Sequence, residues 1–185
     1  AAVGDGSRWG ASVTYIEQDA PRGLAHAVLI SEEFLGHDPF VMYLGDNLLN
    51  KGITPFVQEF VRTRPAAQIL LTRVSDPQMF GVAELQGDTV VRLVEKPKEP
   101  KSDLALVGVY MFGPEVFDSV KQITPSSRNE LEITDAIQNL IDRGCVVRPH
   151  LVEGWWKDTG KLDDMLEANR LILETLERRV DGSVD

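Results

Sequence analysis

One cysteine, Cys145, is present in the 185 residues, so an internal disulfide framework is excluded and a reducing, cytoplasmic setting is expected. Long apolar runs are also missing. None approaches the length needed to span a bilayer, and the first twenty residues lack the pattern of a signal peptide, so no membrane partner is expected. Basic residues are in the minority, 19 Lys and Arg against 29 Asp and Glu, for a net charge of −10. That balance argues against a protein that grips a nucleic-acid polymer, which would carry a basic patch or stripe. It leaves nucleotides open, because an acidic protein can present phosphates to a bound metal. Long-range attraction of anions is unfavourable here, so local groups must bind them. What remains is ordinary for a soluble globular protein: 43% hydrophobic and 26% charged residues, with no internal repeat. The length fits one domain spanning residues 1–185.

Strand and helix patterns alternate along the chain, which predicts an α/β fold with a largely parallel sheet. Ala11 to Glu17 reads as a strand, Leu24 to Leu35 as a helix, and Pro39 to Leu44 as a short buried strand. Ile53 to Arg64 has its apolar residues at helical spacing, and Ala67 to Val74 reads as a strand. Gly81 to Leu85 and Val90 to Glu95 flank Gln86-Gly87-Asp88, which predicts a hairpin. Leu104 to Phe112 is a strand, Pro114 to Gln122 a short helix, and Ile133 to Ile141 one apolar face of a helix ending at Gly144. Cys145 to Leu151 returns as a strand, and Leu162 to Leu176 stripes a long helix that ends before Val180.

Five segments carry chemistry. In Leu44-Gly45-Asp46-Asn47 a carboxylate follows an apolar strand, where open α/β sheets bind ligands, and Gly45 permits close approach; a simple turn is the alternative. In Trp155-Trp156-Lys157-Asp158-Thr159-Gly160 the acid could cap the following helix, or join Asp46 at a Mg²⁺ ion. Gln18 to Ala27, QDAPRGLAHA, offers an amide and a glycine backbone to a base edge, or merely a proline turn into a helix. His26 reads as packing or surface, because no second His or Cys lies at metal spacing. Glu95 and Lys96 suit a sugar hydroxyl and a phosphate, but strand neighbours face opposite sides, so a strand end at Pro97 is required. Arg128, in Arg128-Asn129-Glu130-Leu131-Glu132-Ile133-Thr134-Asp135, is a candidate phosphate clamp, while Ser127 with Glu130 is a possible capping box.

Together and in this order, these segments resemble the sugar-1-phosphate nucleotidyltransferases over nearly the whole chain, with the thymidylyltransferase branch nearest. The resemblance implies a Rossmann-like three-layer α/β nucleotidyltransferase core with a mixed, largely parallel sheet and an inserted β-hairpin over the sugar. It implies transfer from dTTP to glucose 1-phosphate, giving dTDP-glucose and pyrophosphate; UTP is the near alternative, and a non-catalytic sugar-nucleotide-binding module the distant one. Gln18 and Gly23 would read the base, and Asp46 would also touch the nucleotide. Asp46 and Asp158 would hold Mg²⁺. Gly81, after Phe80, with Glu95, Leu106 and Tyr110 would line the sugar, and Lys96 and Arg128 would hold its phosphate. Asp46, Asp158, Lys96 and Arg128 form the expected catalytic set, and a homo-oligomer is expected.

The sequence departs from the family pattern at both ends. The glycine-rich loop that opens the family, its Arg and a following Lys have no counterpart here, and Arg178 to Asp185 resembles the entry to a C-terminal β-helix. The expectation is an excerpt of a longer protein, inactive by itself.

Overall fold

The computed structural model describes residues 3–176. Its centre is a six-stranded sheet in the order β5-β4-β6-β3-β7, with β1 also paired to β6. The strands are β1 (Phe40–Tyr43), β3 (Ala67–Arg73), β4 (Gly81–Gln86), β5 (Thr89–Glu95), β6 (Leu104–Phe112) and β7 (Val147–Leu151). A separate two-stranded ladder joins β2 (Asn47–Leu49) to β8 (Trp156–Asp158). The helices are α1 (Leu24–Ile30), α2 (Glu32–Leu35), α3 (Thr54–Thr63), α4 (Glu115–Gln122), α5 (Ile133–Asp142) and α6 (Leu162–Glu174).

β6 organises the three layers. All nine of its residues are buried, as a near-continuous apolar strand between two helical layers should be. Its side chains alternate: Leu106, Tyr110 and Phe112 join one core with α1, α4 and α5, while Val107, Val109 and Met111 join a second core with Phe56 and Phe60 of α3. β3 alternates likewise, with Ile69 and Leu71 in the first core and Leu70 in the second. The apolar stripe read in the sequence around Ile133 is the buried face of α5, formed by Ile133, Ala136, Ile137 and Leu140.

The sheet is mixed, but its parallel share is smaller than expected. Among the described residues only β3 and β7 pair in parallel; β6 runs antiparallel to β1, β3 and β4, and β4 to β5. The reason is connectivity. β4 and β5 form a hairpin, which needs no crossover, and β6 then enters between β4 and β3, antiparallel to both.

Four local readings also change. The strand expected to be buried over Pro39 to Leu44 forms as β1 but is only half covered, with Val41 and Tyr43 exposed, because it pairs with β6 alone. Ala11 to Glu17 alternates like a strand yet pairs with none among the described residues, and alternation without a partner edge makes no ladder. The helix expected over Leu24 to Leu35 breaks at Ser31, whose hydroxyl donates back to the Ala27 carbonyl at 2.8 Å. The capping box of Ser127 and Glu130 does not form, because α5 begins only at Ile133 with Glu132 at its N-cap. The Arg178 to Asp185 segment lies outside the described residues.

Candidate active site

Most of the residues singled out in the sequence meet around one cavity of about 420 Å³. Gln18, Gly23 and Asp158 line it. So do Gly81, Glu95, Lys96, Leu106, Tyr110 and Arg128. Asp46 stands just beside it, on the turn between β1 and β2.

Asp46 and Asp158 are brought together by the β2–β8 ladder, in which Asn47 is opposite Asp158. Thr159 fastens the turn, donating its backbone N–H and its hydroxyl to the Asp46 carbonyl, both at 2.8 Å. The two carboxylates converge on Gly160. A Cβ there would lie 3.1 Å from Asp158 Oδ1 and 3.9 Å from Asp46 Oδ2. Asp158 does not cap α6, whose N-cap is Lys161; its Oδ1 accepts from the Gly160 N–H at 2.9 Å. Among the described residues no group of three or more His, Cys, Asp or Glu is assembled for a metal. Two convergent carboxylates still fit Mg²⁺, which takes one or two from the protein and the rest from water and substrate phosphates.

Gln18 and Gly23 form the second part. Gly23 adopts φ 94°, and a Cβ on it would come within 2.4 Å of the Leu131 carbonyl oxygen. Only glycine fits, because Leu131 is zipped to this turn: its N–H donates to the Arg22 carbonyl at 2.8 Å, and its carbonyl accepts from Ala25 N–H at 3.0 Å. Gln18 Nε2 donates to the Gly23 carbonyl at 3.2 Å and lies 2.9 Å from His26 Nδ1. His26 is therefore neither plain packing nor a metal ligand.

The third part surrounds Glu95. Lys96 takes φ 42°, a left-handed twist that resolves the difficulty of two strand neighbours serving one cavity. Its N–H donates to the Phe80 carbonyl at 3.0 Å. Glu95 Oε2 accepts from the Thr134 hydroxyl at 3.3 Å, and a Cβ on Gly81 would be 3.2 Å from that oxygen and 2.6 Å from Thr134 Cγ2. Gly81 therefore keeps this corner open. Gly45, by contrast, faces open space.

Arg128 is held by carboxylates, at 3.2 Å from Glu95, 3.4 Å from Glu130 and 2.8 Å from Glu132. Ser126 donates to Glu132 at 2.6 Å from the same side. Burial, and then the Glu132 charge, push the Glu95 carboxyl above its ordinary range, with Arg128 and Lys96 opposing. Burial and the Glu95 charge likewise push the Tyr110 hydroxyl up. The corner is thus rich in acceptors for sugar hydroxyls and carries two cations for a phosphate.

Sequence reading missed the supports. Asn47 read only as turn chemistry, yet its buried amide touches Asp46, Gly108 and Trp156. Gly108 makes room for it, since a Cβ there would be 2.5 Å from Asn47 Nδ2. Trp156 in turn meets Phe80 edge-on, with ring centroids 5.6 Å apart. The one available signal was the apolar strand ending directly in Gly-Asp-Asn.

The nucleotidyl transferase family model matches residues 1–175. A glucose-1-phosphate thymidylyltransferase of Streptomyces antibioticus is 60% identical over 186 residues, covering 100% of this chain and 52% of the relative. A low-salt glycan biosynthesis nucleotidyltransferase of Haloferax volcanii is 51% identical, covering 98% of this chain and 51% of the relative. A Bacillus anthracis crystal structure, assigned as a glucose-1-phosphate thymidylyltransferase in complex with sucrose, superposes with a TM-score of 0.85 at 40% identity. That match covers 96% of this chain and 72% of the other. The chain spans about half the length of these curated relatives.

Proposed function

The chain belongs to the nucleotidyl transferase family, and from that premise we propose that the protein containing it makes dTDP-glucose and pyrophosphate from dTTP and glucose 1-phosphate in the cytoplasm. The observation that carries the reading is a single cavity lined by the Gln18 amide, a carboxylate–cation corner suited to a sugar phosphate, and Asp158 beside Asp46. The 60% identity to a thymidylyltransferase supports dTTP as the nucleotide and glucose 1-phosphate as its partner.

In this reading Gln18 and the Gly23 backbone orient the base, so that the α-phosphorus is presented to the sugar phosphate. Glu95 accepts hydrogen bonds from sugar hydroxyls, the Gly81 backbone lets the ring approach, and Leu106 and Tyr110 form the floor. Lys96 and Arg128 hold the sugar's phosphate so that one of its oxygens lies in line with the bond to break. A new P–O bond forms at the α-phosphorus as the bond to pyrophosphate breaks, with no covalent enzyme intermediate. Positioning alone accounts for a large part of such a rate enhancement, on the order of 7–11 kcal/mol for well-oriented reactants. Asp46 and Asp158 would hold Mg²⁺, which supplies neutralisation of phosphate charge.

The test is turnover by the full-length protein of dTTP with glucose 1-phosphate, followed as pyrophosphate release. Gln18→Ala should raise KM for dTTP more than KM for glucose 1-phosphate. Equal effects on the two, or no dTDP-glucose from the wild type, would count against the reading.

A further inference from the structure

Gln18 has a side-chain amide with two donor hydrogens and one acceptor oxygen. Both hydrogens are committed, one to the Gly23 carbonyl at 3.2 Å and one toward His26 Nδ1 at 2.9 Å. Nε2 is only a donor, so Nδ1 must be the acceptor. That pairing requires the tautomer of His26 with its ring proton on Nε2. Gln18 Oε1 has no protein partner among the described residues, and Gln18 lines the cavity.

We infer that His26 is a positioning residue that locks the Gln18 amide with its oxygen toward the base, so that the site selects pyrimidines bearing a ring N3–H, thymine or uracil, against cytosine. The inference rests on the nucleotide-binding reading above. Turning the amide over would set Oε1 against the Gly23 carbonyl oxygen and the Nδ1 lone pair at once, two acceptor–acceptor contacts. Without His26 only one of these contacts resists the turn. Cytosine presents a lone pair at N3, so it meets Oε1 as acceptor against acceptor in the locked orientation and finds a donor only in the flipped one. Glu95, Lys96 and Arg128 do not take part in this lock, so the sugar side should not feel its loss. His26 is half-buried beside Ala25 and Ala27 on the first turn of α1.

The test uses the full-length protein with His26→Leu, which removes the acceptor, and His26→Asn, which returns one close to the Nδ1 position. Losing one hydrogen bond and the orientation it fixes should raise KM for dTTP about 5- to 10-fold in His26→Leu and leave KM for glucose 1-phosphate unchanged. The preference for dTTP over dCTP, as a ratio of kcat/KM, should fall about 10-fold or more in His26→Leu and largely return in His26→Asn. The same preference measured as calorimetric binding without sugar keeps the inference testable if the full-length protein binds dTTP but makes no dTDP-glucose; that result would sink the proposed reaction only. Nitrogen-15 NMR of labelled histidine needs no variant and should find Nδ1 of His26 unprotonated. A proton on Nδ1, an unchanged dTTP/dCTP preference in His26→Leu, or equal rises in both KM values would overturn the inference.

Discussion

Asn47 and Trp156, one at the start of each strand of the small ladder, are joined by a 2.7 Å hydrogen bond from the indole N–H to Asn47 Oδ1. The same oxygen accepts from Gly108 N–H at 3.0 Å, and the Asn47 amide nitrogen donates to Asp46 Oδ1 at 2.9 Å. One side chain, 4% exposed, thus ties the central strand β6, the Trp156 indole and the expected metal carboxylate into a unit. Asn47→Ala should cost roughly 2–4 kcal/mol in urea unfolding, because it leaves two N–H donors without a partner. The same variant should lower kcat through a misplaced Asp46. Wild-type stability with unchanged kcat would show that the tie is incidental.

Asp46 is exposed and Asp158 half-buried, and neither anchors the core. Asp46→Asn and Asp158→Asn should therefore change stability by no more than about 1 kcal/mol. In the full-length protein each should reduce Mg²⁺-dependent turnover by at least about 10²–10³, the scale for losing one preorganised electrostatic group. Turnover within tenfold of wild type would remove both from the metal site.

Gly23→Ala should destabilise by roughly 2–4 kcal/mol, combining a glycine-only backbone conformation with a steric clash against the Leu131 carbonyl. Chemical denaturation measures this directly. A neutral substitution would mean that the Leu131 loop yields freely.

Glu95 gives a pH signature. Its carboxyl is raised above the ordinary glutamate value by burial first and the Glu132 charge second. The folded protein therefore holds this proton to higher pH than the unfolded chain does. Stability associated with the group is greatest while it remains protonated, and declines as pH rises from the ordinary glutamate value through the raised folded value. Glu95→Gln, which cannot ionise, should lose less stability than wild type over that interval, while KM for glucose 1-phosphate rises. Denaturation midpoints at a series of pH values will decide it; parallel curves for the two proteins would contradict the shift.

Legibility differed between elements for physical reasons. The β6 strand was readable as a short continuous apolar run and the Ile133 stripe by its helical period, because burial of apolar residues marks the sequence itself. Glu95 and Lys96 need a strand end to serve one cavity, and φ 42° at Lys96 supplies it. His26 was not readable, because its partner Gln18 lies eight residues earlier, outside α1, and a single imidazole has no pattern. Nor was the dominance of antiparallel pairing, since strand direction follows from which neighbours meet and not from apolar content.

Local chemistry in the sequence determined the element types, the buried faces of β6 and α5, and the set of charged, amide and glycine residues available for a phosphate and sugar site. Only the tertiary structure decided which of them share a cavity. The β2–β8 ladder brings Asp46 to Asp158 across the chain, and the Leu131 loop clamps Gly23 and carries Arg128 to Glu95. Contacts between residues so distant in the chain leave no periodic trace in the sequence, because each is fixed by strand pairing and close packing rather than by its own neighbours.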